Sequence, residues 1–439
     1  MSINLFGTDG IRGQFGKDPF TIPQLVKLGQ AVAVWAQKTY RNNPSLLLAH
    51  DTRLSCSLLK SAFKSGLLLY PLELCDAQVL PSPSVAALLH ASQDFDIGII
   101  ISASHNPYQD NGIKIIDRFR GKLSHEDEQI ISELFHNQET KSDYQSLGKE
   151  YHHDFKTEYC TLIDRYFEKN FLRGKKVVLD CAQGAAYELA PHIFSLYGAE
   201  VIPLFDQPNG LNINKQCGTL HPEVLKTKVI EHQADIGFAF DGDGDRVIAV
   251  NRLGQLKTGD DILALLLSHP LYQTMQAVVG TVMTNKGFEV YLNNKGKSLI
   301  RTQVGDKYVA QEMVKNKLLL GGEDSGHIIM HDYLHTGDGI FTALRIMQTI
   351  LLQDNWDMET FTKFPQIHTT IPILYKKDLN KPPFFEIITK SEELLGQGRL
   401  VIRYSGTEPV LRIMVEDNDC DNAQYICSSL SKQLQEQLN

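Results

Sequence analysis

The 439-residue sequence has no C-x-x-C pair, no basic surplus and no long apolar run, and each absence removes a class of function. Its seven cysteines, Cys56, Cys75, Cys160, Cys181, Cys217, Cys420 and Cys427, are odd in number and scattered. Neither a thiolate zinc site nor a disulfide framework follows from that spacing. Reduced thiols in a cytosolic protein are the simplest reading. Lys and Arg total 43 against 52 Asp and Glu, a formal net charge of −9, which argues against a general nucleic-acid surface. Local arginines can still grip an anionic small molecule inside an acidic protein. No apolar stretch reaches bilayer length, and the start MSINLFGTDGIRG lacks the basic-then-apolar order of a secretory signal. The expectation is a cytoplasmic protein without membrane or nucleic-acid partners. A G-x-S-x-G elbow and a Walker A loop are also missing.

What is present is globular: 42% hydrophobic and 22% charged residues are ordinary values. At roughly 150 residues per domain the length suggests about three domains. Apolar runs at Leu46 to Ala49, Ile97 to Ile101, Val177 to Leu179, Ile236 to Phe240 and Val247 to Val250 read as buried strands. Amphipathic stretches such as Ile22 to Lys38 and Asp261 to Leu267 lie between them. That alternation predicts α/β layers. The polar stretch from His136 to Lys149 reads as a first linker. Further boundaries are expected near Asn251 to Lys257 and Pro365 to Pro372. Arg399 to Glu416 reads as strand, loop, strand, followed by a terminal helix.

Asp241-Gly-Asp-Gly-Asp-Arg246 follows the apolar run IGFAF. In an extended segment its alternate carboxylates leave on one side. Their mutual repulsion calls for a cation, and hard oxygen ligands suit Mg²⁺ or Ca²⁺. An EF-hand fails, because counting from Asp241 the sixth residue is Arg246 rather than glycine and the twelfth is Arg252 rather than glutamate. Ser102-Ala-Ser-His-Asn-Pro107 ends the run IGIII, where α/β sheets gather ligands; a polar turn closed by proline is the bland alternative. On extended chain His105 points away from Ser104 and is a poor general base for it. Gly322-Glu-Asp-Ser-Gly-His327 can grip sugar hydroxyls or be a plain hairpin loop. Arg403-Tyr-Ser-Gly-Thr-Glu-Pro409 with Arg412 offers hydroxyls, a backbone N–H and guanidinium groups to a phosphate, or is a charged hairpin. Phe6 to Gly13, with Arg12, is a weaker phosphate-facing candidate.

Together these segments fit phosphoryl transfer on a sugar phosphate. In order, FGTDGIRG, DTR (Asp51 to Arg53), ISASHNP, DNGIK (Asp110 to Lys114), DGDGDR, GGEDSGH, TGDG (Thr336 to Gly339) and RYSGTEP resemble the α-D-phosphohexomutases over essentially the whole chain. FGTDGIRG and PNGLNINKQCG (Pro208 to Gly218) resemble the glucosamine branch of that family. The resemblance implies three similar α/β domains with mixed sheets and a smaller C-terminal α+β domain around a central cleft. The expected spans are 1–148 with the phosphoserine loop, 149–251 with the metal site, 252–367 with the sugar site and 368–439 with the phosphate site. It implies that Ser104 is phosphorylated and shares Mg²⁺ with Asp241, Asp243 and Asp245. It places Arg246 beside that phosphate, Glu323 and Ser325 on sugar hydroxyls, and Arg12, Arg403, Ser405, Gly406, Thr407 and Arg412 on substrate. Lys114 and His327 are its proton-transfer candidates. The implied reaction interconverts glucosamine 6-phosphate and glucosamine 1-phosphate through glucosamine 1,6-bisphosphate, supplying amino-sugar nucleotide precursors for cell-wall synthesis.

Two details depart from the family pattern. Asp324 stands where Gln or Asn is familiar, and Leu54-Ser-Cys56 where Ser-Gly is more usual. They bear on sugar specificity rather than reaction class. The rival readings are a phosphomannomutase/phosphoglucomutase, a non-catalytic sugar-phosphate binder and a phosphatase, with Ser102 as the alternative nucleophile. The sequence leaves oligomeric state open, a homodimer included.

Overall fold

The computed structural model describes residues 5–7, 9–119, 121–137, 146–405 and 409–438. Two compact units emerge, Met1–Met275 with Gly305–Glu359, and Gln276–Val304 with Thr360–Asn439.

In the first unit, strands β1 (Ile11–Gln14), β2 (Ser45–His50), β3 (Glu73–Val79), β4 (Ile97–Ile101), β5 (Asp110–Asp117), β6 (Gly121–Lys122) and β7 (Lys149–His152) form one mixed sheet. The order is β1-β5-β4-β2-β3-β7, with β6 on β5. Strands β4, β2, β3 and β7 run parallel, whereas β5 turns back against β4 and β1 against β5. The uniformly apolar β4 is buried at every residue, as a strand covered on both faces must be. Strand β7 lies beyond the expected 148/149 boundary, so sheet pairing runs past it.

A second mixed sheet contains β8 (Lys176–Asp180), β9 (Glu200–Leu204), β10 (Ile236–Phe240), β11 (Val247–Asn251) and β12 (Leu256–Lys257) in the order β12-β11-β10-β8-β9. Its parallel strands β10, β8 and β9 are extended by the antiparallel β11 and β12. The pairing again passes the expected boundary at 251/252. The amphipathic stretch read from Asp261 forms the helix Gly259–Leu266.

Strands β13 (Ala277–Thr281) and β14 (Ser298–Thr302) pair in parallel within the second unit. Strands β15 (Leu320–Gly322) and β16 (Ile328–Met330) form an antiparallel pair in the first. The second unit ends in a three-stranded antiparallel sheet of β17 (Gln366–Pro372), β19 (Val410–Glu416) and β18 (Arg399–Tyr404), with β19 central. The helices Phe384–Glu393 and Cys420–Leu438 pack with it around Leu411, Ile413, Val415, Ile426, Leu430 and Leu434. All seven cysteines are free, and Cys420 alone among them is exposed. Among the described residues no helix is long and apolar enough to cross a membrane.

The helices Ile22–Thr39 and Cys56–Leu67 cross where two glycines meet. A Cβ on Gly66 would lie 1.9 Å from the Val26 carbonyl oxygen, and one on Gly29 would lie 2.2 Å from that of Phe63. Backbone atoms cannot yield as a flexible side-chain tip would. Helix propensity alone favours alanine over glycine by about 1 kcal/mol, but the clash has the opposite sign and is larger. Gly66→Ala should therefore destabilise the protein by about 1–3 kcal/mol, the usual cost of overpacking. A raised melting temperature for Gly66→Ala would contradict this crossing geometry.

Candidate active site

The serine loop leaves the C-terminal end of β4, and the acidic turn joins β10 to β11. Both occupy strand ends where α/β sheets present ligand sites. The chain at Ser104 is not extended: its φ is 52°, a conformation that a non-glycine residue holds only when its surroundings impose it. Several groups impose it. The Ser102 hydroxyl donates to Asp51 Oδ2 at 2.6 Å and accepts the Ser104 N–H at 2.9 Å. Arg53 Nη2 donates to the carbonyls of Ser104 at 3.0 Å and Asn106 at 2.8 Å, and Arg53 Nη1 to that of Pro107. Asn214 Nδ2 reaches the same Ser104 and Asn106 carbonyls at 2.8 and 2.9 Å. Ser102 is thus fully engaged in shaping the loop. The left-handed turn also brings His105 Nδ1 to 3.3 Å from Ser104 Oγ, contrary to the expectation for extended chain. Burial, then the Arg246 charge, push the His105 pKa down to about 4.

Ser104 Oγ donates to Asp241 Oδ2 at 2.6 Å. The carboxylates of Asp241, Asp243 and Asp245 each place an oxygen within 4.8 Å of the others, and all three residues are buried. They converge because the segment is a turn, with Gly244 at φ 75°, rather than through the pleat of an extended chain. Gly242 permits the meeting with the serine loop, since a Cβ there would lie 2.5 Å from the Ser104 carbonyl oxygen. Burial and the charges of Asp245 and Asp243 drive the Asp241 pKa well above its ordinary value. Asp245 moves the other way, as Lys114 and His327 overcome its burial. Oδ1 of Asp243 and Oδ1 of Asp245 are buried without a hydrogen-bond donor. Lone pairs left bare in a crowded acidic pocket fit a hard divalent cation. Mg²⁺ would be held here by Asp241, Asp243 and Asp245 with Ser104 beside them.

Cationic groups close the pocket. Lys114 Nζ lies 2.9 Å from Asp243, 3.1 Å from Asp245 and 3.0 Å from Asp9. Burial opposes its charge, but these three carboxylates hold its pKa well above the ordinary value. Arg246 donates its backbone N–H to Asp241 Oδ1 at 3.1 Å, and its buried Nε has no hydrogen-bond partner. Arg12 reaches the Ser102 carbonyl at 3.3 Å and Asp9 at 3.0 Å. His327 Nε2 accepts the Gly337 N–H at 2.9 Å, which fixes the Nδ1–H tautomer, with Nδ1 3.6 Å from Asp245. Burial pulls the His327 pKa down, but Asp306 and Asp245 raise it on balance.

The sugar-loop candidates lie between β15 and β16. Glu323 is buried, with Oε1 accepting the Gly305 N–H at 3.0 Å, while Ser325 is exposed. Asp324 accepts from the Thr258 hydroxyl and from the Asp260 N–H at 3.2 Å. Its charge therefore caps the helix Gly259–Leu266, where an anion is favourable. Sequence reading assigned no role to Asp9, Arg53 or Asn214. Arg53 and Asn214 lay inside the segments DTR and PNGLNINKQCG, which could have signalled them, and Asp9 inside FGTDGIRG.

The phosphate-loop candidates form a group of their own in the second unit. Arg403 and Arg412 stand opposite each other on β18 and β19 and line a cavity of ≈ 370 Å³ with His368 and Thr370. Two like charges directly across a strand pair repel unless an anion joins them. The Ser405 N–H donates to the Val410 carbonyl at 2.9 Å. Gly406 and Thr407 lie outside the described residues.

A serine hydroxyl set against three buried carboxylates at strand ends is suited to metal-assisted phosphoryl transfer. Profiles of phosphoglucomutase/phosphomannomutase match consecutively: α/β/α domain I over residues 4–142, domain II over 149–254, domain III over 258–363 and the C-terminal domain over 368–433. The chain belongs to this family, the α-D-phosphohexomutases, with its three α/β/α domains and a C-terminal domain. Among its relatives are phosphoglucosamine mutases. That of Citrifermentans bemidjiense is 40% identical over 428 residues, 94% of each chain. That of Syntrophus aciditrophicus is 39% identical over 450 residues, 99% of each. A phosphoglucomutase/phosphomannomutase family structure from Burkholderia thailandensis shares the fold with TM-score 0.80 at 23% identity, covering 99% of this chain and 97% of that one. Aspergillus fumigatus N-acetylphosphoglucosamine mutase, solved with GlcNAc-6P and magnesium, aligns with TM-score 0.68 at 15% identity over 99% and 96%.

Arg53 is buried with Asp51, to which its Nε donates at 2.8 Å. Arg53→Met should cost about 3–5 kcal/mol, because it leaves that carboxylate buried and unpaired; denaturant unfolding measures this. The Asp180 carboxyl, at the end of β8, accepts from the Ala182 and Gly218 N–H groups at 2.9 and 2.8 Å. Burial nevertheless raises its pKa to about 7. A raised folded value means that its stabilisation is complete below the unfolded pKa and is lost as pH rises through about 7. Melting temperature should fall between about pH 4 and 7 through this group, and Asp180→Asn should flatten that slope. An unchanged slope in the variant would contradict it.

Proposed function

We propose that this chain is an isomerase that interconverts glucosamine 6-phosphate and glucosamine 1-phosphate through a phosphorylated Ser104 and glucosamine 1,6-bisphosphate. The observation that carries the reading is the Ser104 hydroxyl, 2.6 Å from Asp241 inside the three-carboxylate pocket. The relatives at 39–40% identity are phosphoglucosamine mutases, which supports the amino sugar as substrate over glucose or mannose phosphates. In one half-reaction the P–Oγ bond of phosphoserine breaks and a P–O bond to the sugar hydroxyl forms; the hydroxyl proton ends on Oγ. The second half-reaction reverses this with the other phosphate of the bisphosphate.

Mg²⁺ bound by the three aspartates would neutralise charge on the transferring group. The chain's own residues do the remaining work. Arg53 and Asn214 hold the Ser104 backbone in place. Lys114, kept charged by its three carboxylates, and the His327 Nδ1–H both border Asp245, so proton-carrying groups stand at the edge of the pocket. Arg246 supplies a half-buried cation for phosphate oxygens. Glu323 and Ser325 read sugar hydroxyls. Arg12, Arg403, Ser405 and Arg412, with the Gly406-Thr407 segment, serve substrate phosphate. Function in the cytoplasm, feeding amino-sugar nucleotide precursors for cell-wall synthesis, belongs to the same proposal.

Ser104→Ala should lower turnover of glucosamine phosphate by roughly 10³-fold or more, as loss of a nucleophile does, while Ser102→Ala retains phosphorylation at Ser104. Chelator should stop turnover and Mg²⁺ restore it. The decisive measurements are ³¹P NMR of sugar isomers and intact mass. A dead Ser102→Ala beside an active Ser104→Ala would refute the assignment. A dominant rate with mannose or glucose phosphates would move the chain to the rival branch, and free phosphate without isomer would make it a phosphatase.

A further inference from the structure

Lys122 and Asp306 drew no notice in the sequence, yet they close a ring of ionisable groups around the site. Lys114 Nζ lies 3.1 Å from Asp245 Oδ2, and Asp245 Oδ1 lies 3.6 Å from His327 Nδ1. His327 Nε2 lies 3.4 Å from Asp306 Oδ2. Lys122 Nζ touches Asp306 and Asp9, each at 2.6 Å. Asp9 Oδ2 returns to Lys114 Nζ at 3.0 Å. Acid and base alternate around all six positions. The members come from distant stretches: Asp9 precedes β1, Lys114 and Lys122 stand on β5 and β6, Asp245 lies in the acidic turn, Asp306 begins the helix Asp306–Asn316, and His327 precedes β16.

We infer that Lys122 and Asp306 are positioning residues for the transfer reaction, which hold Lys114 and His327 in place on either side of Asp245. This rests on the phosphoryl-transfer reading of the site. Asp245 is the near junction, touched by both Lys114 and His327. Lys122 is the far junction, reaching Lys114 through Asp9 and His327 through Asp306. Two contacts in the ring, at 3.4 and 3.6 Å, are longer than hydrogen bonds. His327 is therefore anchored by the Gly337 N–H at its Nε2, with the Asp306 carboxylate packed against that same edge of the ring, so its position depends on Asp306 staying put. Remove the Lys122 ammonium and the Asp9 and Asp306 carboxylates face one another without a shared cation. Their repulsion drives them apart, and each carries its partner with it. Lys114 shifts with Asp9, and the support beneath His327 shifts with Asp306. Neither Lys122 nor Asp306 needs to touch substrate for this to alter the reaction.

The test uses the Mg²⁺-loaded, Ser104-phosphorylated enzyme with glucosamine 6-phosphate. Displacing reacting groups by about an ångström can cost a factor near 10², so Lys122→Met should lower kcat by roughly 10–100-fold, with KM nearly unchanged. Lys122→Arg should recover most of that loss, because a planar guanidinium can bridge two carboxylates. Asp306→Asn should lower kcat in the same direction. Unaltered kcat in Lys122→Met, a loss confined to KM, or failure of Lys122→Arg to recover would overturn the inference. So would a fall in melting temperature large enough to account for the lost activity as unfolded protein. A crystal structure of Lys122→Met provides a readout independent of turnover: Lys114 Nζ should leave its present place between Asp9 and Asp245, and an undisturbed Lys114 would overturn the ring. If wild-type enzyme isomerises no phosphosugar, the functional reading fails, and the crystallographic comparison still decides whether Lys122 positions Lys114.

Discussion

Three buried carboxylates within five residues are the constraint around which the first unit is arranged. Asp241, Asp243 and Asp245 cannot all remain ionised away from water without compensation. The protein supplies part of it through Lys114 and, at greater distance, Arg246 and His327. Part is left undone, in the raised Asp241 pKa and in the donor-free oxygens of Asp243 and Asp245. That residual imbalance gives a divalent cation something to bind, and it directs the serine hydroxyl toward Asp241.

The fold meets this constraint with strand ends rather than with a dedicated loop domain. Strand β4 delivers Ser104 and strand β10 delivers the acidic turn. A glycine at 242 lets the two backbones come close enough for a serine Oγ and an aspartate oxygen to touch. Holding Ser104 at a positive φ would be unfavourable in isolation. The Arg53–Asp51 pair, the Ser102 hydroxyl and Asn214 share that task, so groups that never touch the reacting oxygen determine where it points. Asp324 shows the converse. A charge within the candidate sugar loop, where an amide is the family's familiar residue, is used at a helix N-terminus.

Much of this was legible in advance, for local reasons. Buried strands have an apolar signature that needs no tertiary information, so the runs at Ile97 to Ile101 and Ile236 to Phe240 became β4 and β10 at those residues. The acidic motif and the serine loop were visible because their residue types are unusual together. Two geometric premises were wrong in an informative way. The carboxylates were expected to converge by alternation along an extended chain, and Ser104 was expected to point away from His105. Both segments are turns, and a turn's side-chain directions come from φ and ψ, which residue types constrain only loosely. Sheet pairing also ran past the expected boundaries at 148 and 251, since short edge strands such as Lys149–His152 and Leu256–Lys257 carry little signal of their own.

The sequence by itself determined the alternation of strands and helices, the chemical identity of the reactive groups and the resemblance that joins them, because these depend on local composition and order. Tertiary structure alone decided which charges meet. Asp9, Lys122 and Asp306 are unremarkable acids and bases until three separated stretches of chain bring both carboxylates to 2.6 Å from the Lys122 ammonium. Gly29 and Gly66 are ordinary helix residues until their helices cross. The physical reason is the same in both cases. Electrostatic and steric energies depend on distances through space, and for residues far apart in the chain only the folded backbone sets those distances.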